Sequence, residues 1–286
     1  MTGNDAVAVV ASRIRADEKR IFDALDRRAV RYARLDSRAL WGFSHGTAPF
    51  RTVLNREIGQ VRASYAARML EALGVVVVNS AAATEVCGDK WRTSLALEEA
   101  GLPVPRTALA LTPEAALEAL AAVGYPAVIK PLVGSWGRLV TLVPDPQVAA
   151  SVLEYVQALP SPQSHVVYVQ ELVVKPGRDI RALVVGGDVL GATYRRGADW
   201  RTNVARGAVS EFCPLTPELT KLAVEAAAAV DADVAGVDLI EDEQGRLVVL
   251  EVNHGVEFSG FQSAMGDRVD VADRIVDHLL ARAGQC

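Results

Sequence analysis

The sequence predicts a mixed α/β protein, and three observations carry that prediction. Segments with apolar residues at helical spacing alternate with short β-branched runs, the pattern of helices laid on sheets. Half of the 286 residues are apolar and 6% are aromatic, enough for a large core and unlike a disordered chain. Gly74, Gly101, Pro103 and Pro105 punctuate the helical stretches, where turns belong.

Taken in order, residues 6–10 read as a short strand. Residues 17–31 read as an amphipathic helix with Ile21, Phe22, Leu25 and Ala29 on one face. A helix over 64–73 stops at Gly74, and the valine run 75–78 reads as a buried parallel strand. These elements suggest a small α/β unit up to about Ala83. A helix follows over 84–101, then a helix capped by Thr112 with Pro113 in its first turn, ending at Val123. Strands are expected over 125–131 and 139–143, joined by a glycine-bearing loop, with a helix over 148–159. Strands over 166–174, 179–185 and 189–194 carry β-branched or alternating runs. A helix over 217–230, two strands ending in Asp238 and Asn253 around a turn at Gly245, and a helix over 270–283 complete the chain.

Composition narrows the function classes. With 30 Lys and Arg against 35 Asp and Glu, the net charge of −5 provides no nucleic-acid footprint. No apolar run is long enough to span a bilayer, and Asp5, Arg13, Arg15, Asp17 and Glu18 interrupt any signal-peptide pattern. Cys87, Cys213 and Cys286 are far apart with no CxxC pair, against a disulfide framework or a structural zinc site. A cytoplasmic location is the expectation. The basic run Arg13, Arg15, Lys19, Arg20, Arg27, Arg28, Arg31, Arg34 and Arg38 is interleaved with acids. It reads either as a solvated helix face or as a surface for an acidic protein partner.

The chemistry-bearing residues concentrate later in the chain. Asp238 and Glu251 on neighbouring strands, with Asn253 two residues beyond Glu251 on the same face, present hard oxygen ligands of the kind Mg²⁺ takes beside phosphates. Lys130 ends an apolar strand, and Gly134-Ser135-Trp136-Gly137-Arg138 follows as a loop whose backbone can close over phosphate oxygens. Glu171 ends a strand that could read a nucleobase edge. Asp179 and Arg181 share one strand face, as an ion pair or with Arg181 turned to an anion site. Arg195, Arg196, Arg201 and Arg206 flank Asn203 in a stretch without strong periodicity, a loop suited to anions. Among four histidines none pairs at metal spacing, and no GxSxG is present.

These residues resemble the ATP-grasp superfamily. Within it the chain is similar to the RimK-like branch of LysX and ArgX type, which ligates amino acids to an amino-group carrier protein. The resemblance rests on Cys87-Gly88-Asp89-Lys90-Trp91, Lys130-Pro131 with the 134–138 loop, Gln170-Glu171, Lys175-Pro176-Gly177-Arg178-Asp179-Ile180-Arg181, Tyr194-Arg195-Arg196, Thr202-Asn203, Ala205-Arg206-Gly207 and Glu251-Val252-Asn253-His254 with Glu257-Phe258. It implies an ATP-grasp fold: a pre-ATP-grasp α/β domain over 1–86, a connecting region over 87–125, a central lid subdomain over 126–175 and a catalytic subdomain over 176–286.

The resemblance also implies roles. Lys90 and Lys130 would hold the phosphates, Gly134, Ser135, Trp136 and Gly137 would cover them, and Gln170, Glu171, Leu172 and Arg178 would complete the ATP site. Asp238, Glu251 and Asn253 would hold Mg²⁺, with Mn²⁺ as a substitute. Arg206 and Asn203 would touch the transferring phosphoryl group. Arg181, Arg195, Thr202, Phe258, Gly260 and Phe261 would contact the amino-acid substrate. The implied reaction joins the C-terminal glutamate side chain of a small acidic carrier protein to the α-amino group of glutamate or α-aminoadipate, releasing ADP and phosphate. Those two amino acids differ by one methylene, worth about 1–3 kcal/mol in discrimination. The Gly260-Phe261 pair resembles glutamate-using members. A RimK-like enzyme glutamylating another protein or peptide is the alternative. A nucleotide-binding module without turnover fits less well, because the set Lys90, Lys130, Asp238, Glu251 and Asn253 is complete. A homo-oligomer, dimer or tetramer, is also implied.

Overall fold

The structure, a computed structural model, describes residues 7–42, 44–134, 138–197 and 209–284. Its first sheet contains β1 (Val7–Val10), β2 (Tyr32–Leu35), β3 (Thr52–Asn55) and β4 (Val76–Val78), all parallel in the order β2-β1-β3-β4. Helices α1 (Ala16–Arg27) and α2 (Gln60–Ala72) accompany it. Strands β2 and β3 are four residues each, too short for alternation to register in the sequence.

The expected helix over 84–101 is two helices, α3 (Ala81–Cys87) and α4 (Lys90–Glu99). The break falls at Gly88-Asp89, where the Asp89 carboxylate accepts from the backbone N–H groups of Trp91 and Arg92 and caps α4. A Gly-Asp pair directly after the apolar Val86-Cys87 marks that break.

The second sheet is antiparallel, in the order β5-β8-β6-β7. Its strands are β5 (Thr107–Ala110), β6 (Ala127–Lys130), β7 (Thr141–Val143) and β8 (Val167–Glu171). Helices α5 (Pro113–Val123) and α6 (Pro146–Gln157) cover one face, capped by Thr112 and Asp145 with proline in each first turn. The third sheet has β9 (Arg178–Val185), β10 (Asp188–Arg196), β11 (Val209–Cys213), β12 (Val234–Glu241) and β13 (Leu247–Asn253), in the order β11-β10-β9-β12-β13. Gly186 and Gly187, both at positive φ, make the tight turn between β9 and β10. Helix α7 (Pro217–Ala229) packs on one face.

The other face belongs to a shared core. Leu183, Val185 and Val234 of the third sheet pack with Val7, Val9, Leu54 and Val78 of the first. Between them lie α8 (Ser259–Met265) and α9 (Val271–Gly284), which contribute Phe261, Met265, Ile275, Val276 and Leu279. The final helix thus fills one side of the first sheet, while α2 fills the other through Ala66, Ala67 and Leu70. Asn79 adds a polar tie: its side chain donates to the Val234 and His254 carbonyls at 2.7 and 2.9 Å and accepts from the Val234 N–H at 2.8 Å. No helix among the described residues is long and apolar enough to cross a membrane.

Candidate active site

Where the three sheets meet they enclose a cavity of about 750 Å³. Its floor is one face of the third sheet. Thr193, Arg181, Asp238 and Glu251 stand directly opposite one another on β10, β9, β12 and β13, and Arg195 stands opposite Asp179 one step along. Residues opposite each other on antiparallel strands share a face, so strand register alone gathers these charges.

Of the two readings of Arg181, the register removes the ion pair with Asp179. Arg181 instead forms a two-point fork on Asp238, with Nε to Oδ1 and Nη2 to Oδ2 both at 2.7 Å. Arg195 takes Asp179 at 2.6 Å and also reaches Asp238 Oδ2 at 3.1 Å. Lys175 adds a contact to Asp179 at 3.6 Å. Burial alone would raise the Asp238 carboxyl, but Arg181 and Arg195 beside it hold it below the usual carboxylate range. Arg195 is 3% exposed and engaged by two carboxylates, so it is a framework cation of this wall rather than an open receptor.

The oxygen donors suit a hard divalent cation. Asp238 Oδ1 accepts one bond and keeps a lone pair, whereas Oδ2 is filled by both guanidinium groups. Glu251, directly across from Asp238, has no hydrogen-bond or ion-pair partner among the described residues. Asn253 pairs with Gly236 two positions along the same face, and its Nδ2 lies 3.4 Å from the Gly236 carbonyl, which leaves Oδ1 available. Two carboxylates and an amide oxygen on one wall fit the ligand chemistry of Mg²⁺. Among the described residues no cluster of three or more His, Cys, Asp or Glu offers another metal site.

Cations face these oxygens from the second sheet and α4. Lys130, at the end of β6, donates to Gln170 Oε1 at 2.6 Å. Gln170 Nε2 donates to the Tyr168 hydroxyl at 2.9 Å, and Tyr168 meets Ser94 at 2.8 Å. Ser94 lies one helical turn after Lys90, so one chain of hydrogen bonds ties both lysine-bearing elements together. Lys90 itself donates to the Gly134 carbonyl at 2.9 Å. Burial pushes the Lys130 ammonium down to about 8, a shift that Glu251 opposes and Lys90 reinforces. The Cys87 thiol, on the same wall, is pushed up to about 12 by burial and by Glu251. His254 is pushed down to about 4 by burial and by Arg56, so it is neutral near pH 7, with Nε2 2.9 Å from Gln60 Oε1.

An apolar slot completes this end. Val128, Val140, Leu172, Ile240 and Leu250 face the cavity beside Glu171. The Glu171 carboxylate accepts from the Arg106 N–H at 2.9 Å, which fixes the end of β8.

The structure gathers Lys90, Lys130, Gly134, Gln170, Glu171, Leu172, Arg181, Arg195, Asp238, Glu251, Asn253, Gly260 and Phe261 around this cavity. Two other expected residues sit elsewhere. Phe258 is fully buried in the shared core, its N–H donating to Asp17 at 2.8 Å, because the short helix α8 turns the following residues, not Phe258, toward the cavity. Arg178 pairs with Glu241 at 2.7 Å and stacks 4.0 Å over Tyr194 on the opposite sheet face from Arg181. Ser135, Trp136, Gly137, Thr202, Asn203 and Arg206 lie outside the described residues.

Residues given no place in this site from the sequence also line the cavity: Lys175, and from the first sheet's surroundings Asp17, Glu57, Gln60 and Arg15, the last read only as part of the basic run. Lys175 stood inside a quoted motif; the others carry no local signal, because only folding brings residues 15–60 to strand β13. The basic N-terminal run is largely consumed within the chain. Arg27 and Arg28 bind Asp270, Asp273 and Asp277 around α9, Arg34 lies 4.1 Å over Phe22, and Arg38 pairs with Asp36. Arg13, Lys19 and Arg20 remain exposed.

Comparison with known proteins follows the same outline. The family described as the RimK-like ATP-grasp domain matches residues 87–279, and the LysX preATP-grasp domain matches residues 7–86. The chain is 32% identical over 277 residues to the glutamate–LysW ligase ArgX of Sulfurisphaera tokodaii, covering 96% of this chain and 97% of that one. It is 34% identical over 206 residues to the alpha-aminoadipate–LysW ligase LysX of Saccharolobus solfataricus, covering 72% of this chain and 75% of that one. The crystal structure of a RimK domain ATP-grasp protein from Sphaerobacter thermophilus superposes with a TM-score of 0.80 at 28% identity, covering 96% of this chain and 99% of that one.

Proposed function

Because the chain belongs to the RimK-like ATP-grasp family, with a LysX-type pre-ATP-grasp region ahead of it, we propose that it is an ATP-dependent ligase of an amino-group carrier protein. It joins the C-terminal glutamate side-chain carboxylate of a small acidic carrier to the α-amino group of glutamate. One observation carries this reading: Lys90 and Lys130 face Asp238, Glu251 and Asn253 across a single cavity wide enough for a nucleotide and an acceptor.

In this reading Lys90 and Lys130 hold the phosphate oxygens; the Gln170–Tyr168–Ser94 chain ties the Lys130 ammonium to the helix that carries Lys90, whose own ammonium rests on the Gly134 carbonyl. Asp238, Glu251 and Asn253 hold Mg²⁺, which when bound neutralises charge on the transferring phosphoryl group. The carrier's carboxylate oxygen attacks the terminal phosphorus and ADP leaves. The amino group of the second substrate then attacks the acyl carbon, and phosphate departs as the isopeptide bond forms. Arg181 and Arg195 keep Asp238 ionised throughout.

Glutamate is favoured over α-aminoadipate on two grounds. The match to a glutamate-using relative spans nearly the whole chain, and Gly260 and Phe261 line the cavity. The test incubates the protein with ATP, Mg²⁺, a carrier ending in glutamate, and either amino acid. Mass spectrometry is expected to show one added glutamate residue on the carrier. No ADP release with either amino acid would remove the ligase assignment.

A further inference from the structure

The wall of the cavity formed by the first turn of α1 and residues 256–261 contains no lysine, yet it holds Arg15. This guanidinium is held in a fixed attitude by the fully buried Glu18: Nε reaches Oε2 at 2.9 Å and Nη2 reaches Oε1 at 2.8 Å. Its third contact is of another kind. Nη1 donates to Glu257 Oε1 at 2.6 Å, and the Glu257 side chain is 49% exposed with no other partner among the described residues. Of the five guanidinium N–H groups these bonds use three: the two given to Glu18 are buried, and the one given to Glu257 is exposed and open to exchange with another carboxylate.

Position points the same way. A Cβ added at Gly236 would lie 2.7 Å from Val256 Cγ2 and 3.6 Å from Arg181 Nε, so the chain just before Glu257 stands beside Arg181. Arg181 and Arg195 spend their contacts on buried carboxylates of the sheet, whereas Arg15, forked by the buried Glu18, also gives its Nη1 to the exposed and exchangeable Glu257. Resting on the ligase reading above, we propose that Arg15 receives the side-chain carboxylate of the acidic amino-acid substrate, and that Glu257 occupies this receptor until the substrate displaces it. An amino acid with a neutral side chain cannot make that exchange, so the contact selects dicarboxylates.

The test is calorimetric binding to the full chain with Mg²⁺ and a non-hydrolysable ATP analogue. Wild type, Arg15→Met and Glu257→Gln are titrated with glutamate and with 2-aminobutyrate, which lacks the second carboxylate. Arg15→Met is expected to weaken glutamate about 30-fold and leave 2-aminobutyrate unchanged, as loss of a charge-assisted carboxylate contact requires. Glu257→Gln removes an exposed competitor without touching the core and is expected to tighten glutamate about threefold or more. The proposal is overturned if both ligands weaken together in Arg15→Met, or if glutamate binding is unchanged or weaker in Glu257→Gln. Should wild type fail to bind the ATP analogue, the ligase reading itself falls. Analogue and glutamate binding that ignores both substitutions removes this inference alone.

Discussion

With Lys130 in its proposed place on the phosphates, ATP affinity becomes a function of pH in a range where ordinary lysines are silent. Its ammonium is pushed down to about 8 by burial, from an ordinary 10.5. If phosphate is held by the charged form, the competent fraction drops from about nine-tenths at pH 7 to about one-tenth at pH 9. Apparent ATP affinity should therefore weaken about tenfold across that interval, with uptake of a proton on binding at the upper end. The sign for stability is the reverse. Between 8 and 10.5 the unfolded chain binds this proton and the folded chain does not, so the unliganded protein gains stability with rising pH over that window. Calorimetry in buffers of different ionisation enthalpy reads the proton, and thermal melts of the unliganded chain read the opposite trend. Lys130→Arg keeps its charge throughout and should flatten the binding profile. An alkaline limb that survives in Lys130→Arg, or binding without proton uptake near pH 9, refutes the assignment of this lysine.

Three further outcomes are expected. Glu251→Gln should lower Mg²⁺-dependent turnover by at least about 100-fold, since an unpartnered carboxylate becomes a neutral amide; ADP release at saturating substrates measures it, and activity near wild type removes Glu251 from the metal site. Asp238→Asn strips the shared partner from Arg181 and from the buried Arg195, and should cost about 3 kcal/mol in urea unfolding; an unchanged midpoint would show that the wall tolerates uncompensated cations. Gly88→Ala places a Cβ 1.8 Å from Gln60 Nε2. Gln60 can yield only by leaving the Thr84 carbonyl and His254, a loss of about 2 kcal/mol readable in a thermal melt, and a melt identical to wild type would mean that Gln60 repacks freely.

Much of the architecture was legible in the chain because period and punctuation are local properties. Helices α5, α6 and α7 begin with a capping residue followed by proline, and β12 and β13 advertise themselves as apolar runs, although β12 continues through Glu241 past the Asp238 at which the sequence ended it. Short pieces such as β2, β3, β5, β11 and α8 escaped, since four to seven residues carry too little periodicity to rise above their surroundings. The break at Gly88 was hidden inside a stretch whose composition is helical on both sides.

For the site, residue types spoke early while partnerships did not. Lys130, Asp238, Glu251 and Asn253 could be picked out because each sits at a strand end or on an alternating face, and such placement follows from neighbours in sequence. That Arg181 grips Asp238 rather than Asp179, that Phe258 belongs to the core, and that Arg15 and Gln60 border strand β13 depend on register across sheets and on contacts between residues some 200 positions apart. Backbone propensity is a property of adjacent residues. The pairing of charges and the closing of a cavity are properties of distance in space, and only the folded chain assigns them.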